Sequence, residues 1–333
     1  MHTPKTSFQT VLDALLDSKK DFPRGYLIQF SDIGTLELKT LQDVWSRVGL
    51  SRKLTLLEGL ASLADEDTLV NFDDFARSLL NDPDAAVRIH ALRLVSESED
   101  TKLIPQILTM LKKDADVNVR VASALTLGMF VAQGELEKIS ESAYSEVKAG
   151  LLESARGEDE TRVRRQALES LGYTSNEDVV KLIESALKKD SDWQASALIA
   201  AGRSADGRWE DDILRSLVDE DERIRIAAVQ AAGMLSLKSA RTILLNMLAE
   251  IEEEDEEIAN AAIWSLSQIG GEDVRTFLEA LLDQTEDEDA IEILEEALDN
   301  LSFTEDLDRF ELMAFDPAGL DDFDEDEDED EDK

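Results

Sequence analysis

A short segment, Ile224–Gly233, recurs along this chain and constrains its fold more than any other feature. It begins with an apolar residue and an arginine, continues with small apolar residues three and four positions after the arginine, and ends in glycine. Small residues at this spacing lie on one face of a helix and allow a neighbouring helix to approach closely. Near-copies begin at five other positions, the last two of which lack the arginine: Val87, Val119, Val163, Trp193 and Ile258. The sequence therefore predicts a repeat protein.

The spacing between copies predicts the repeating unit. Counted at the arginine position, the copies stand at residues 88, 120, 164, 194, 225 and 259, with intervals of 32, 44, 30, 31 and 34 residues. A second amphipathic segment such as Val179–Leu187 lies between copies, so each unit is a helix–turn–helix pair. One pair cannot bury its apolar face alone, and neighbouring pairs therefore stack. The long interval predicts an insertion near residues 130–147 that breaks the regular stack, and the glycines near helix ends predict left-handed terminations.

Three regions follow from the pattern. Residues 1–34 are expected to form an N-terminal helix and linker, and residues 35–303 the repeat array, which starts with a degenerate pair. Residues 304–333 are expected to be a disordered acidic tail, because eleven acids in Asp321–Asp332 repel one another around a single Phe323. The tail either confers solubility or captures a basic partner.

The charge of the chain limits the classes of ligand. The net charge is -42, from 76 acidic and 34 basic residues, which disfavours nucleic acid and anionic membrane surfaces as partners. There is no cysteine, as is common for proteins of the reducing cytoplasm, where we expect this one. We also expect neither a signal peptide nor a membrane span.

The acidic turn, the apolar-Arg pair, the small residues and the Leu/Ala-Gly ending resemble HEAT repeats of the short bacterial kind, also called PBS-lyase HEAT-like repeats. Over residues 35–303, the resemblance implies an all-α, armadillo-like α-solenoid of about seven to eight HEAT-like pairs. It also implies that the second helix of each pair lines the concave side. In this family an aspartate and the arginine join adjacent repeats, which implies a structural ladder of Arg88, Arg120, Arg164, Arg225, Asp82, Asp114 and Asp219.

The ladder arginines are expected to be structural because each follows an acidic turn that can pair with it. For Arg164, for example, this turn contains Glu158 and Glu160. A basic row for an anionic ligand is the less favoured alternative. Gln194 and Ala259 replace the arginine and should interrupt the ladder.

Positions five and nine after the arginine position are expected to face the concave side. Several carry residue types that are enriched at protein interfaces. The candidate partner-binding residues are Arg93, Met129, Tyr173, Arg203, Gln230, Met234, Trp264 and Gln268. The alternative is that several of them pack against the next repeat. Trp193 and Trp209 are expected in the core.

The sequence carries no motif typical of a catalytic or metal-binding site. The resemblance extends to deoxyhypusine hydroxylases, whose His-Glu pairs hold iron, but the only histidines here are His2 and His90, and neither precedes a glutamate. We therefore expect no catalytic residue, no cofactor and no metal. The favoured function is a non-enzymatic scaffold that binds a protein or peptide, preferably a basic one, on the concave face. The competing class is an accessory subunit or enzyme related to bilin lyases or to these oxidoreductases. The sequence does not specify an oligomeric state.

Overall fold

The computed structural model describes residues 7–250 and 256–314. The chain divides into two compact units, Met1–Ser204 and Ala205–Lys333. The regular 31-residue interval between positions 194 and 225 did not indicate this division, and a single array over 35–303 was expected. Every secondary-structure element assigned within the described residues is an α-helix or a 3-10 helix, which confirms the all-α class.

The first unit is a stack of helix pairs. Its α-helices are α1 (Phe8–Leu16), α2 (Thr35–Trp45), α3 (Leu50–Glu66), α4 (Asp73–Leu79), α5 (Ala85–Leu94), α6 (Ile104–Lys113), α7 (Val117–Glu135), α8 (Glu141–Arg156), α9 (Thr161–Leu171), α10 (Glu177–Ala186) and α11 (Ser191–Arg203). Helices α3, α5, α7, α9 and α11 contact one another in succession and form what we call the second-helix layer of this unit. From α4 to α11, each even-numbered helix packs on the helix that follows it.

The N-terminal residues belong to the first unit. Helix α1 buries Val11, Leu12 and Leu15, as its amphipathic pattern predicts, and contacts α2. The segment expected to be a linker contains a 3-10 helix, Arg24–Phe30, which packs on α3. The buried Phe30 ring lies 5.1 Å from the Phe75 ring of α4. Residues 7–34 thus help to close the first end of the stack.

The expected insertion near residues 130–147 does not break the stack. It lengthens one pair instead, since its residues form the end of α7 and the start of α8. Helix α7 contacts both α5 and α9, and α8 contacts both α6 and α9. Tyr144 of α8 is buried and donates its hydroxyl to Thr174 Oγ1 at 3.1 Å. The added turns are therefore packed against neighbours, and the prediction of a break is wrong.

The second unit repeats the same arrangement. Its α-helices are α12 (Glu210–Ser216), α13 (Glu222–Met234), α14 (Arg241–Glu250), α15 (Glu256–Ile269), α16 (Glu272–Leu282) and α17 (Glu288–Ala314). Helices α13, α15 and α17 contact in succession and form the second-helix layer of this unit, while α12, α14 and α16 pack on them. The described residues thus contain four consecutive pairs in the first unit and three in the second, in agreement with the α-solenoid prediction.

The boundary predicted at residue 304 was placed too early. Helix α17 continues to Ala314, and its Thr304 hydroxyl donates to the Asn300 carbonyl at 3.1 Å, as in a continuing helix. Arg275 of α16 also donates to Glu305 at 2.8 Å, which joins this extension to the preceding helix. The rest of the predicted disordered tail, residues 315–333, lies outside the described residues.

Most of the glycines that recur near the ends of second helices reflect close packing rather than left-handed backbone. A Cβ added to Gly172 would lie 2.6 Å from the Ala200 carbonyl oxygen, and one added to Gly128 would lie 2.9 Å from Ser170 Cβ. Among the described glycines, a positive φ occurs only at Gly270 and Gly271. After three of the second helices, α7, α11 and α13, the left-handed position is taken by other residues, namely Glu137, Ala205 and Ser236. The predicted left-handed role is therefore confirmed for Gly270, directly after α15, and wrong for Gly128, Gly172 and Gly233, which are needed where helices of adjacent repeats touch.

Candidate functional site

In three acidic turns, at residues 82/84, 114/116 and 219/221, the two aspartates have different roles. The first accepts the backbone N–H two residues later, as Asp114 does from Asp116 at 2.9 Å. The second caps the second helix of the pair, as Asp116 does by accepting from the Asn118 amide at 2.7 Å. Asp219 and Asp221 make the same two contacts in the second unit. The motif therefore shapes the turn and starts the helix.

Arg88 joins its own turn to the next one. Its Nη1 donates to the Asp82 carbonyl at 2.8 Å, while Nε and Nη2 donate to the two Asp114 oxygens at 2.9 and 2.7 Å. A fork of two parallel bonds to one carboxylate is a strong, geometrically specific contact. We expected Arg88 to pair with the acidic side chains behind it. Its carboxylate partner instead belongs to the following repeat, because stacking brings that turn alongside.

Arg120 repeats this geometry one repeat further along. It donates to the Asp114 carbonyl at 2.8 Å and to the two Asp159 oxygens at 2.9 and 2.7 Å. The hydrogen bond with Asp159 raises the pKa of Arg120, and the same bond holds the pKa of Asp159 below its ordinary value. Asp159 was not among the predicted ladder residues, since only its neighbours at 158 and 160 were considered.

Asp82 is the first acid of the ladder and accepts from a lysine. The nearly buried carboxylate receives Trp45 Nε1 at 2.7 Å, Lys53 Nζ at 3.0 Å and the Asp84 amide at 2.9 Å. Burial raises the pKa of Asp82, but the three donors outweigh it and leave the pKa below its ordinary value. Lys53 thus does for Asp82 what Arg88 does for the next acid. Lys53 precedes Arg88 by 35 residues, which is close to the repeat interval. This spacing could have identified Lys53 as a ladder residue from the sequence.

The remaining ladder positions differ. Arg225 donates to the Asp219 and Glu220 carbonyls of its own turn at 2.9 and 3.1 Å. Gln194, which replaces the arginine, likewise donates to the carbonyl of its own turn, Lys189, at 2.7 Å. Within the described residues, the Arg164 side chain donates neither to a carbonyl of its own turn nor to a carboxylate of the next one. Its guanidinium lies over the Trp193 ring at 5.4 Å.

In the first unit, the predicted partner-binding residues are largely engaged within the chain. Arg93 is exposed and pairs with Asp65 at 3.3 Å. Arg203 lies over the Tyr173 ring at 5.3 Å and donates to a backbone carbonyl of α9 at 2.9 Å. Met129 and Tyr173 are half-buried. These side chains do not form an open apolar surface, and Tyr173 and Arg203 contact each other instead.

In the second unit, the predicted residues are more exposed. Trp264 of α15 and Met234 of α13 are 44% and 41% exposed, large fractions for such apolar side chains. Gln230 is exposed and Gln268 is half-buried. A Cβ added to Gly233 would meet Gln268 Oε1, so Gln268 lies against α13 next to Met234.

Helix α17 extends this surface. Ala297 and Leu301 are buried and stand 35 residues after Ala262 and Leu266, the corresponding buried residues of α15. The same offset places Asp299 at the position of Trp264, Phe303 at that of Gln268 and Glu295 at that of Asn260; all three are exposed. Phe303 was not among the predicted residues, although the 35-residue offset of the repeat continues through it.

We call this set of residues the second-unit surface: Gln230, Met234, Trp264, Gln268, Glu295, Asp299 and Phe303.

Other predicted features were located as follows. Trp193 and Trp209 are buried, as predicted. His90 is half-buried on α5, and His2 lies outside the described residues. In residues 7–250 and 256–314, no three acidic or histidine side chains converge in a metal-binding arrangement. No helix in that part of the chain is both long and apolar enough to cross a bilayer.

Comparisons with known proteins place the repeat pattern in a family. The family model for HEAT repeats matches residues 74–149 and 212–299. No curated protein matches the chain significantly.

Several solved structures are similar. YibA of Escherichia coli is 16% identical, with 91% of this chain and 99% of that chain covered and a TM-score of 0.41. The CpcE–CpcF complex of phycocyanin lyase from Nostoc sp. is 17% identical, with 90% and 97% covered and a TM-score of 0.49. Importin beta is 14% identical, with 88% and 46% covered and a TM-score of 0.43. On the match to the family model and the stacked helix pairs described above, residues 74–149 and 212–299 of the chain are HEAT repeats.

Proposed function

We propose that this protein is a non-enzymatic scaffold that binds a basic protein or peptide on the second-unit surface. The observation that carries the proposal is the exposure of Trp264 and Met234 on adjacent helices of one layer. Exposed tryptophan and methionine side chains are enriched at the centres of protein interfaces, where burial on binding stabilises the complex.

Exposed acidic residues on α15 and α17 favour a basic partner. Glu295 and Asp299 are exposed on α17, and Glu256 and Glu257 are exposed in the first turn of α15. A partner with an apolar anchor flanked by lysine or arginine would place the anchor on Trp264 and its charges on these carboxylates. The net charge of -42 would also speed the encounter with such a partner.

The rigid layer supports binding rather than chemistry. Ser265 Oγ of α15 donates to the Val229 carbonyl of α13 at 2.9 Å, and Asn300 Nδ2 of α17 donates to Ser267 Oγ at 2.8 Å. These bonds fix the spacing of the three helices, so the exposed side chains are presented in a set order. Pre-organised surfaces lose less conformational entropy on binding.

A labelled peptide tests this proposal. The probe is a fluorescein-labelled helical peptide with leucine on one face and lysine on the other, and its affinity is measured by fluorescence anisotropy. Trp264→Ala should weaken binding by about tenfold or more, as expected for an aromatic anchor. Leu69→Ala is the matched control, since Leu69 is 88% exposed but lies in the first unit. Equal affinities for both variants would contradict the proposal, and unchanged melting temperatures would show that folding is intact.

A further inference from the structure

Arg164 is a ladder arginine without a carboxylate. It holds in α9 the position that Arg88 holds in α5 and Arg120 in α7, four residues after the helix N-cap. We call a ladder arginine together with the carboxylate that it binds on the following turn a rung. In the two complete rungs, those of Arg88 and Arg120, the arginine Nε donates to a carboxylate oxygen at 2.9 Å. The corresponding Nε of Arg164 is buried and has no hydrogen-bond partner among the described residues. The atom left without a partner is thus the atom that binds the carboxylate elsewhere.

The following turn explains the missing carboxylate. The rung acid stands two residues before the N-cap in the case of Asp114 and one residue before it in the case of Asp159. The N-cap of α11 is Asp190, so the equivalent positions are Lys188 and Lys189. Lysine occupies both places in which the other repeats carry their acid.

The resulting site is positively charged. Lys189 Nζ lies 3.8 Å from the centre of the Trp193 ring, over which the Arg164 guanidinium also lies. Lys188 and Lys189 are exposed, and Arg164 is half-exposed. No ion pair within 4.0 Å joins these three residues to an acid of the described chain.

The acids nearest in sequence to Arg164, Lys188 and Lys189 do not neutralise these three side chains. Asp190 accepts from the Trp193 amide at 3.2 Å, and Asp192 pairs with Arg165 at 3.0 Å. The Arg164 amide donates to the Glu160 carbonyl at 3.2 Å, but in the part of the chain that the structure describes the Glu160 carboxylate accepts no hydrogen bond from the Arg164 guanidinium. Positive charge is therefore left unneutralised at this point of a strongly acidic protein.

We propose that this gap in the ladder binds an aspartate or glutamate side chain of an acidic peptide segment in a partner protein. The carboxylate would complete the rung, accepting from Arg164 as Asp114 accepts from Arg88. Lys188 and Lys189 would add charge-assisted hydrogen bonds, and Trp193 would hold the plane of the guanidinium. The site lies in the first unit and takes a ligand of opposite charge to that of the second-unit surface.

A substitution that fills the gap from within the chain tests the proposal. Lys188→Asp supplies the missing acid and should raise the melting temperature while it blocks the external ligand. Lys181→Asp makes the same charge change at an exposed position of α10 and is the matched control. Arg164→Gln removes the donor itself. The probe is a short fluorescein-labelled peptide of alternating glutamate and alanine, and the corresponding glutamine peptide is the control ligand.

The wild-type protein should bind the glutamate peptide and not the glutamine peptide. Both Lys188→Asp and Arg164→Gln should weaken that binding by about tenfold or more, whereas Lys181→Asp should change it much less. If Lys188→Asp and Lys181→Asp weaken binding equally, the effect is one of overall charge and the proposal fails. It also fails if Lys188→Asp lowers the melting temperature, or if both peptides bind alike.

Discussion

Asp82 lies at the point where three donors from different parts of the first unit meet. Trp45 closes α2, Lys53 belongs to α3, and the Asp84 amide starts the turn before α5. Lys53 is only 7% exposed, so its ammonium depends on this carboxylate, and on the Trp45 ring 4.7 Å away, for compensation of its lost hydration. A buried ion pair is worth little compared with a well-packed apolar pair, but removing one partner leaves an uncompensated charge.

Asp82→Ala should therefore destabilise the protein strongly, by about 3–5 kcal/mol, because Lys53 would remain buried without a partner. Urea unfolding followed by circular dichroism measures the change. Adding Lys53→Met to this variant should restore part of the loss, since it removes the stranded charge.

Asp65→Ala is the control for that experiment. Asp65 pairs with Arg93, but both side chains are more than half exposed, so its removal should cost less than about 1 kcal/mol. If Asp82→Ala proves as mild as Asp65→Ala, the buried rung is not important for stability.

At the scale of the helix, contacts between second helices depend on residues without a side chain. Gly172 near the end of α9 lies against the backbone of α11 at Ala200, and Gly233 of α13 lies against Ser265 of α15. The atoms nearest an added Cβ are all backbone atoms at Gly172 and include the Ser265 Cα at Gly233, and backbone atoms cannot move aside as the end of a flexible side chain can. Helix spacing in each layer is therefore set by these positions.

Gly172→Ala should lower the free energy of unfolding by about 1–3 kcal/mol, because its Cβ would lie 2.6 Å from the Ala200 carbonyl oxygen. Thermal unfolding measures the difference. Gly25→Ala is the matched substitution in the same unit, where nothing lies within 4 Å of the added Cβ. It should be neutral or slightly stabilising, since alanine restricts the unfolded chain. Similar losses for both variants would refute the role of close helix contact.

The elements were more predictable from the sequence than their contacts. The position of the arginine located the second helices, because each copy carries both the cap and the apolar face of one helix. It did not reveal which carboxylate Arg120 binds, since Asp159 comes alongside only after the next repeat has stacked. Nor did it show that Arg203 covers Tyr173, because both residues hold a repeat position that was expected to face solvent.

At the scale of the whole molecule, charge opposes folding. The net charge is -42 at neutral pH, so carboxylates repel one another across the surface. The ladder carboxylates Asp114 and Asp159 are shielded from this repulsion by bidentate arginines, but most of the exposed acids are not. Self-repulsion lowers the stability of the compact state and is reduced by salt.

The melting temperature at neutral pH should therefore rise when the salt concentration increases from about 0.01 M to about 0.15 M, which shortens the Debye length from about 30 Å to about 8 Å. Scanning fluorimetry measures the shift. The same change near the isoelectric point of about 4.2 should produce no such rise, because positive and negative charges then balance. A fall in melting temperature at neutral pH would mean that attractive ion pairs outweigh the repulsion.

The repeated rung has a consequence for how such a chain grows. Arg88 and Arg120 bind the turn before them by its carbonyl and the turn after them by its carboxylate. A stretch cut at equivalent points, such as residues 89–120, therefore begins and ends with compatible connections. An internal duplication of that stretch would insert a whole repeat with every arginine still beside an acid. The number of repeats can then change in a single duplication without leaving an arginine unpaired. The duplicated stretch must not include Lys188 and Lys189, which stand where the other repeats carry the acid.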